Sequence, residues 1–411
     1  MKEVFMVVRP FAALRPPKNL VQCVQSLPYD VMSREEARVM IGDNEKSFLK
    51  ITRPDALHPD WDEHDPRLYQ EARKTLEEFL ARGWLFQEDS PCFYFLAQKW
   101  REREQTAVYA AVCCEDYERG DIRKHELTRK DKEEDRTNHI ATTRVGTGPV
   151  FLAFRDMGVW ESIKSTIMAY PPEYEFTDSM GVENRLWVIS SEEMIATIAG
   201  YFEDIERLYI ADGHHRAASA YNVWKRYGER GEGYGYFMAA IFPSHELTIL
   251  PYHRLVLDLN GMTPDLFLER IAERFAVDVA EELDAPKKAV IGMYLDGEKY
   301  HITIPSKMIP DDPIESLDVS LLQKKILQPF LGIDDPRTSQ RIRFVGGIRG
   351  TKSLIEAVDN HDAAVAFAMY PVSMEELLRV ADENQIMPPK STWFEPKLRD
   401  GVLAYPLDNP F

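Results

Sequence analysis

Residues 207–227 constrain the fold more than any other stretch. The apolar run Leu208-Tyr209-Ile210-Ala211 is followed at once by Asp212-Gly213, and then by His214-His215-Arg216 and an alanine-rich segment reaching about Tyr227. An apolar run closed by a turn pair reads as a buried strand. Ala217, Ala218, Ala220, Val223 and Trp224 then support a helix. Strand-like and helix-like segments alternate on both sides of this unit, so the expected fold class is mixed α/β (α+β).

The same turn concentrates chemistry. Residues Gly213, His214, His215 and Arg216 fall at a helix N-terminus, where backbone N–H groups lack internal partners and the helix dipole favours an anion. Gly213 lets a phosphate approach the backbone closely. Arg216 can add a charge-assisted, bidentate contact. His214 and His215 offer donors or a proton shuttle near neutral pH. Asp212 can cap the helix or hold Mg2+ against phosphates. An ordinary strand–turn–helix needs only the Asp-Gly pair, and Asp-Gly-His-His-Arg is a costly way to make one. Zinc is the competing chemistry, but adjacent helical residues do not face the same way, so His214 and His215 are poor joint ligands.

The chain's 411 residues exceed one ordinary core. A boundary near residues 240–260 divides it into an N-terminal catalytic region, 1–245, and a C-terminal α/β domain, 246–411. A first strand is expected at residues 4–8. A helix begins at Pro66 behind the N-cap candidate Asp65 and stops at Gly83, with Leu68, Ala72, Leu76, Phe79 and Leu80 on one face. Further strand-like runs lie at 92–96, 108–113, 150–154, 186–189, 237–242, 289–294 and 363–370. Ser190 with Glu193, and Ser373 with Glu376, read as capping boxes. Residues 115–143 are so polar that a solvated face is expected, yet they hold the compact cluster Lys124-His125-Glu126.

Composition excludes several classes. A net charge of −18 argues against broad nucleic-acid binding, which requires clustered Lys and Arg, but leaves room for a local basic pocket. No stretch approaches the roughly 20 apolar residues of a membrane span, and the N-terminus lacks the pattern of a secretory signal. A cytoplasmic chain is expected, with neither nucleic acid nor membrane as partner. Cys23, Cys92, Cys113 and Cys114 include no Cys-x-x-Cys pair, so reduced packing cysteines are expected. No Walker motif is present. The string Gly346-Gly347-Ile348-Arg349-Gly350-Thr351-Lys352 lacks the required gap, and protein-kinase signatures are missing.

Asp212-Gly213-His214-His215-Arg216 after a strand resembles the phosphate-binding turn of free-serine kinases built on the ParB/sulfiredoxin-like fold. Lys124-His125-Glu126-Leu127-Thr128 resembles the segment that carries their catalytic glutamate. The likeness implies a ParB/sulfiredoxin-like core with an additional C-terminal α/β domain. It implies a magnesium-dependent transfer of phosphate from ATP or ADP to a small hydroxyl substrate, free L-serine first. Glu126 would be the general base, Asp212 would be magnesium-linked, and Gly213 to Arg216 would cradle the phosphate. A homodimer is compatible with it.

A second resemblance spans nearly the whole chain, to a large bacterial and archaeal family long labelled as a domain of unknown function and suspected of kinship with the serine kinases. Its landmarks are Pro10-Phe11, Leu14-Arg15, Pro28-Tyr29-Asp30-Val31, residues 124–128, Asp135-Arg136, residues 212–216, Leu250-Pro251-Tyr252-His253-Arg254 and Pro388-Pro389-Lys390-Ser391-Thr392-Trp393-Phe394. Leu27 and Tyr252 depart from the usual pattern, where a proline and a threonine are common.

These landmarks supply the secondary candidates. Arg136 either pairs with Asp135 or reaches a phosphate. His125 lies beside Glu126. His253 and Arg254 either end a strand or form a basic wall of the cleft. Lys390, Ser391 and Thr392, held extended by two prolines, either face a ligand or link elements. Asp30 would bind the amino group of an amino-acid substrate. Three rival readings stand beside the kinase: a ParB-like switch that binds or hydrolyses nucleotide, a metal-dependent hydrolase using His125, His214 and His215, and an inactive binding module.

Overall fold

The computed structural model describes residues 6–408. They form two compact units, one running to Leu247 and taking in the segment from Pro396 onward, the other spanning Thr248–Glu395. The expected second domain, 246–411, therefore lacks its final segment. That segment returns to the first unit by backbone pairing: Ala404 exchanges hydrogen bonds with Leu14, Asp400 with Ser26, and Tyr405 pairs with Gly146.

The first unit is built on a nine-stranded mixed sheet. Its strands are β1 (Val8–Arg9), β2 (Phe93–Trp100), β3 (Arg103–Cys113), β4 (Ile122–Arg123), β5 (Val150–Phe154), β6 (Tyr174–Thr177), β7 (Glu183–Ile189), β8 (Leu208–Asp212) and β9 (Tyr236–Pro243). The order is β4-β8-β5-β9-β3-β2-β7-β6, with β1 beside the end of β3. β5 and β9 run parallel, and their neighbours β8 and β3 run antiparallel to them. Continuous apolar runs such as residues 107–112 are buried because β3 is central and covered on both faces. The longer helices of the unit include α1 (Pro66–Ala81), α2 (Lys130–Thr143), α3 (Trp160–Met168), α4 (Glu192–Glu203) and α5 (His214–Tyr227). Ala217 and Ala218 of α5 join the same core as Ile210, Leu152 and Ala239, and Ala220 and Trp224 pack against it. Small alanines let this helix lie close to the sheet.

Several expectations held in place: Asp65 caps α1 through Arg67 N–H at 3.0 Å, and α5 follows the turn as expected. Others need correction. The first strand reduces to Val8–Arg9, paired with β3, while Val4 and Phe5 lie outside the described residues. The cap of α4 is Ser191, not Ser190, because β7 continues through Ile189 and Ser190 is spent as the connection. The polar stretch 115–143 is not simply a solvated face. It contributes β4 and α2, and Thr137, His139 and Thr143 are buried. Their stripe is narrow and polar, so hydropathy does not register it. His139 Nε2 lies 2.8 Å from the Ile51 carbonyl, which satisfies it inside the protein.

The second unit carries an antiparallel six-stranded sheet of β10 (Tyr252–Val256), β11 (Ala276–Val279), β12 (Val290–Leu295), β13 (Glu298–Thr303), β14 (Ile342–Gly346) and β15 (Val365–Ala368), in the order β11-β13-β12-β15-β10-β14. Leu255, Tyr294, Leu354, Ala366 and Ala368 form part of its core. The Ser373–Glu376 capping box is present, opening the helix Met374–Asp382. Among the described residues no helix is long and apolar enough to cross a membrane.

Candidate functional site

The turn after β8 is shaped by a bulge. Ile210 pairs with Leu152 but Asp212 pairs with Phe151, leaving Ala211 unmatched. A bulge at a strand end re-aims the residues beyond it. Gly213 then adopts φ +90°, a left-handed conformation that glycine takes without strain. A Cβ there would also stand 3.1 Å from Arg216 Cζ, so the guanidinium folds back against the glycine. Helix α5 begins at His214 with no side-chain cap. Its first amides are therefore open to an outside acceptor.

The two histidines tie this turn to the segment carrying Glu126. The His125 backbone N–H donates to His214 Nε2 at 3.4 Å, and the Arg129 backbone N–H donates to His215 Nε2 at 3.0 Å. Each imidazole accepts at Nε2, which leaves its remaining proton on Nδ1. His214 Nδ1 lies 3.9 Å from Glu126 Oε2. The rings of His125 and His214 meet edge to face at 4.5 Å. Glu126 is about half exposed, whereas His125 and His214 are buried at 2% and 5% exposure. Burial pulls His125 down to about 4, and burial together with His125 holds His214 well below its ordinary value. Both are neutral at pH 7.

Arg216 is buried and already engaged. It donates to the Pro149 carbonyl, to Asp30 Oδ2 at 3.2 Å and to Asp212 Oδ2 at 3.4 Å. The expected direct clasp of a phosphate would have to displace one of these carboxylates. Lys397 Nζ also stands 3.4 Å from Asp212 Oδ2. Burial alone would raise the Asp212 carboxyl, but Lys397 and Arg216 outweigh it and hold it well below the usual carboxylate range. Arg136 pairs with Asp135 at 2.8 Å, and its guanidinium lies 4.4 Å over the Tyr29 ring. It braces the residue next to Asp30.

A further carboxyl was invisible as a candidate in the sequence. Asp400 is 1% exposed, and neither of its oxygens finds a full hydrogen-bond partner. Burial raises it to about 7, against smaller opposing pulls from Arg216, the Tyr29 backbone and Arg136. A Cβ on Gly148 would stand 3.0 Å from Asp400 Oδ1 and 3.4 Å from Arg216 Cδ, so this glycine admits both groups. Lys397 and Asp400 reach the site because the terminal segment pairs back into the first unit. Neither belongs to a recognisable motif, and no local pattern announces them.

The residues around Asp212 do not by themselves fit magnesium, the metal expected there. Magnesium takes oxygen ligands in near-octahedral geometry, and Asp212 is one carboxylate flanked by two cations. The donor atoms that do converge are those of His125, Glu126 and His214, within 4.8 Å of one another. Two imidazoles and a carboxylate suit a borderline ion such as zinc. His215 does not belong to this group.

The remaining candidates gather in the second unit. Arg254 donates to the Lys390 carbonyl at 3.1 Å, Lys390 Nζ lies 5.6 Å over the Tyr252 ring, and Trp393 meets that ring edge-on at 5.3 Å. Ile249–Leu250 pairs with Trp393–Phe394. Two sequence landmarks, 250–254 and 388–394, thus form one cluster. His253 Nδ1 accepts the Met369 N–H at 3.1 Å and is a satisfied core histidine. Ser391 is buried, and its hydroxyl donates to the Pro388 carbonyl at 2.6 Å. Thr392 lies in the same loop, between Ser391 and the strand pair.

Residues 8–320 match the family model described as "Protein of unknown function (DUF1015)", and the chain belongs to that family. No curated protein matches it. Similar solved structures include a free serine kinase in complex with AMP, 12% identical with a TM-score of 0.35, covering 72% of this chain and 92% of that one. A conserved hypothetical protein from Pyrococcus furiosus is 14% identical with a TM-score of 0.33, covering 74% and 97%. SbnI with C-terminal truncation from Staphylococcus aureus is 11% identical with a TM-score of 0.38, covering 71% and 85%.

Proposed function

We propose that this chain is a nucleotide-dependent kinase acting on a small hydroxyl compound, with free L-serine the leading acceptor and ATP or ADP the donor. The observation that carries the reading is the place of Glu126. Its half-exposed carboxylate stands beside the uncapped start of α5, held there by the histidines of the turn. A base next to an anion site is the arrangement that phosphoryl transfer to an alcohol needs, since that reaction asks mainly for positioning and charge stabilisation.

In this reading the terminal phosphate of the nucleotide rests on the first amides of α5. Gly213 allows its close approach, and Lys397 adds positive charge. Glu126 accepts the hydroxyl proton as the oxygen attacks phosphorus. The bond to the nucleotide's bridging oxygen breaks, and the nucleotide leaves one phosphate shorter. Asp30 remains available for the ammonium group of an amino-acid acceptor, if that ammonium replaces Arg216 as its partner. The test is a mass-spectrometric assay with ATP or ADP, magnesium and a panel of small alcohols. Phosphoserine formed only with the wild-type base supports the reading. Turnover that survives Glu126→Gln overturns it.

One observation favours a second reading, a metal-dependent hydrolase. His125, Glu126 and His214 converge, and His125 Nδ1 is buried without a hydrogen-bond partner. Metal analysis of the purified chain separates the two. The hydrolase reading requires a stoichiometric transition metal that departs when His125 is replaced by Ala. The kinase reading requires none.

A further inference from the structure

The second unit contains a buried cation with no counter-charge. Arg254 is 4% exposed, and its guanidinium donates only to carbonyls: Tyr252 at 2.9 Å, His253 at 3.4 Å and Lys390 at 3.1 Å. Its aromatic neighbour, the Phe344 ring at 4.5 Å, brings no charge either. Among the described residues no acidic side chain pairs with it. Carbonyls satisfy N–H groups, but they do not neutralise a full charge that has left water, and such a charge is costly unless an anion joins it.

Arg254 lines a cavity of about 130 Å³. That is room for roughly four waters at their liquid volume, enough for a compact organic ligand. Most of the remaining wall is apolar: Val319, Leu327, Pro388 and Pro389 contribute to it. Ser320 and the ion pair of Lys324 with Glu315, 2.5 Å apart, also stand on it, the pair's charges meeting each other. Gln323 lines the same cavity, its Nε2 is committed to the Ile333 carbonyl at 2.6 Å, and its Oε1 is buried without a partner.

The wall is built in an unusual way. Gln323–Leu327 is a π-helical turn inserted between Asp318–Leu322 and Gln328–Leu331. Such insertions shift the side-chain register locally and recur at functional sites. The opposite rim is the Pro388-Pro389 segment. Lys390 follows it with φ +54°, left-handed for a residue with a Cβ, and its carbonyl is the one held by Arg254. Strain of this kind persists where surrounding contacts enforce it. The cavity therefore has a fixed rim, one cation without an acidic partner, one unused acceptor and a mostly apolar wall that also carries Ser320 and the Lys324–Glu315 pair.

We infer that this cavity binds a short aliphatic carboxylic acid carrying a hydrogen-bond donor, the class of small hydroxy acids and amino acids. Its carboxylate would face Arg254 and its donor Gln323 Oε1. The inference stands on the second unit alone and does not depend on the kinase reading.

The test is calorimetric titration of the full chain with glycolate, with acetate and inorganic phosphate as comparisons. Glycolate is expected to bind at one site, with acetate weaker because it offers Gln323 no donor. Arg254→Met should weaken glycolate at least tenfold. Val319→Phe, which fills the cavity and keeps the arginine, should do the same even if the first variant folds poorly. Glu126→Gln should leave glycolate binding unchanged, which separates this site from the proposed catalytic one. The inference is overturned if glycolate does not bind, if both second-unit variants bind it as the wild type does, if Glu126→Gln abolishes binding, or if phosphate binds there in its place.

Discussion

The imidazole of His214 accepts the backbone N–H of His125 at 3.4 Å while the two rings meet edge to face. The contact joins segments 89 residues apart in the chain. With the parallel bond from Arg129 to His215, it fixes Glu126 over the start of α5. In the proposed reading the paired histidines clamp a base to an anion site, and their role is positional before it is chemical.

Loosening the clamp should cost turnover more than binding. His215→Ala removes the acceptor for Arg129 N–H and frees the segment that carries Glu126. About a tenfold fall in kcat is expected, with nucleotide Kd within about twofold, since small displacements of a reacting group are expensive in rate. Steady-state kinetics beside equilibrium nucleotide binding checks this. His215→Gln, which keeps a side-chain acceptor, should recover part of the loss.

Gly213→Ala should fail for two reasons at one position. The residue would hold φ +90°, and its methyl group would press on the Arg216 guanidinium. A cost of about 1–3 kcal/mol is expected, visible as a lower midpoint in thermal unfolding. Nucleotide binding should weaken as well. A variant with wild-type stability and affinity would mean that the turn is not held as described.

Asp400 gives a pH signature. Its folded-state value is about 7, well above that of an ordinary carboxyl. A raised carboxyl contributes stability that is full below pH ~4. The contribution is lost as pH rises through 7, because the unfolded chain releases the proton first. His125 and His139, both held at about 4 by burial, act in the opposite direction and lose stability as pH falls from about 6.5. The net curve mixes these effects, so the comparison is with Asp400→Asn. Relative to wild type, that variant should gain stability between pH 4 and 7, at up to about 1.4 kcal/mol per pH unit. Denaturant titrations across that range measure it.

A chain ending at residue 395 should not keep a stable first unit. It loses the pairings of Ala404 with Leu14, Asp400 with Ser26 and Tyr405 with Gly146, and exposes Val145 and Leu14 of the core. Poor solubility, or a thermal midpoint lowered by many degrees, is expected. An unchanged first-unit transition would contradict the account of that segment.

Much of this was legible in the residues. The strand–turn–helix at 208–227 announces itself because an apolar run, a turn pair and an alanine-rich helix succeed one another without interruption. The Asp65 and Ser373 caps are local devices and read locally. The cluster at 125–129 was legible only through resemblance, since its charged setting hides that His125 is buried. Lys397 and Asp400 were not legible at all. Long-range pairing brings them to the site, and nothing in their own neighbourhood encodes that. The same holds for Arg216: a helix-start arginine looks like a phosphate clamp until Asp30, 186 residues away, is seen beside it. The magnesium role of Asp212 meets a related obstacle, because Lys397 comes from the far end of the chain.

The most direct test of the central claim is phosphoryl transfer to L-serine by the purified chain and by its Glu126→Gln variant, each with ATP or ADP and magnesium. The account predicts O-phosphoserine from the wild type, a fall of about 10²–10⁴-fold in the variant, and nucleotide affinity preserved in both. No serine-dependent product with either donor, or equal turnover by both proteins, would contradict it.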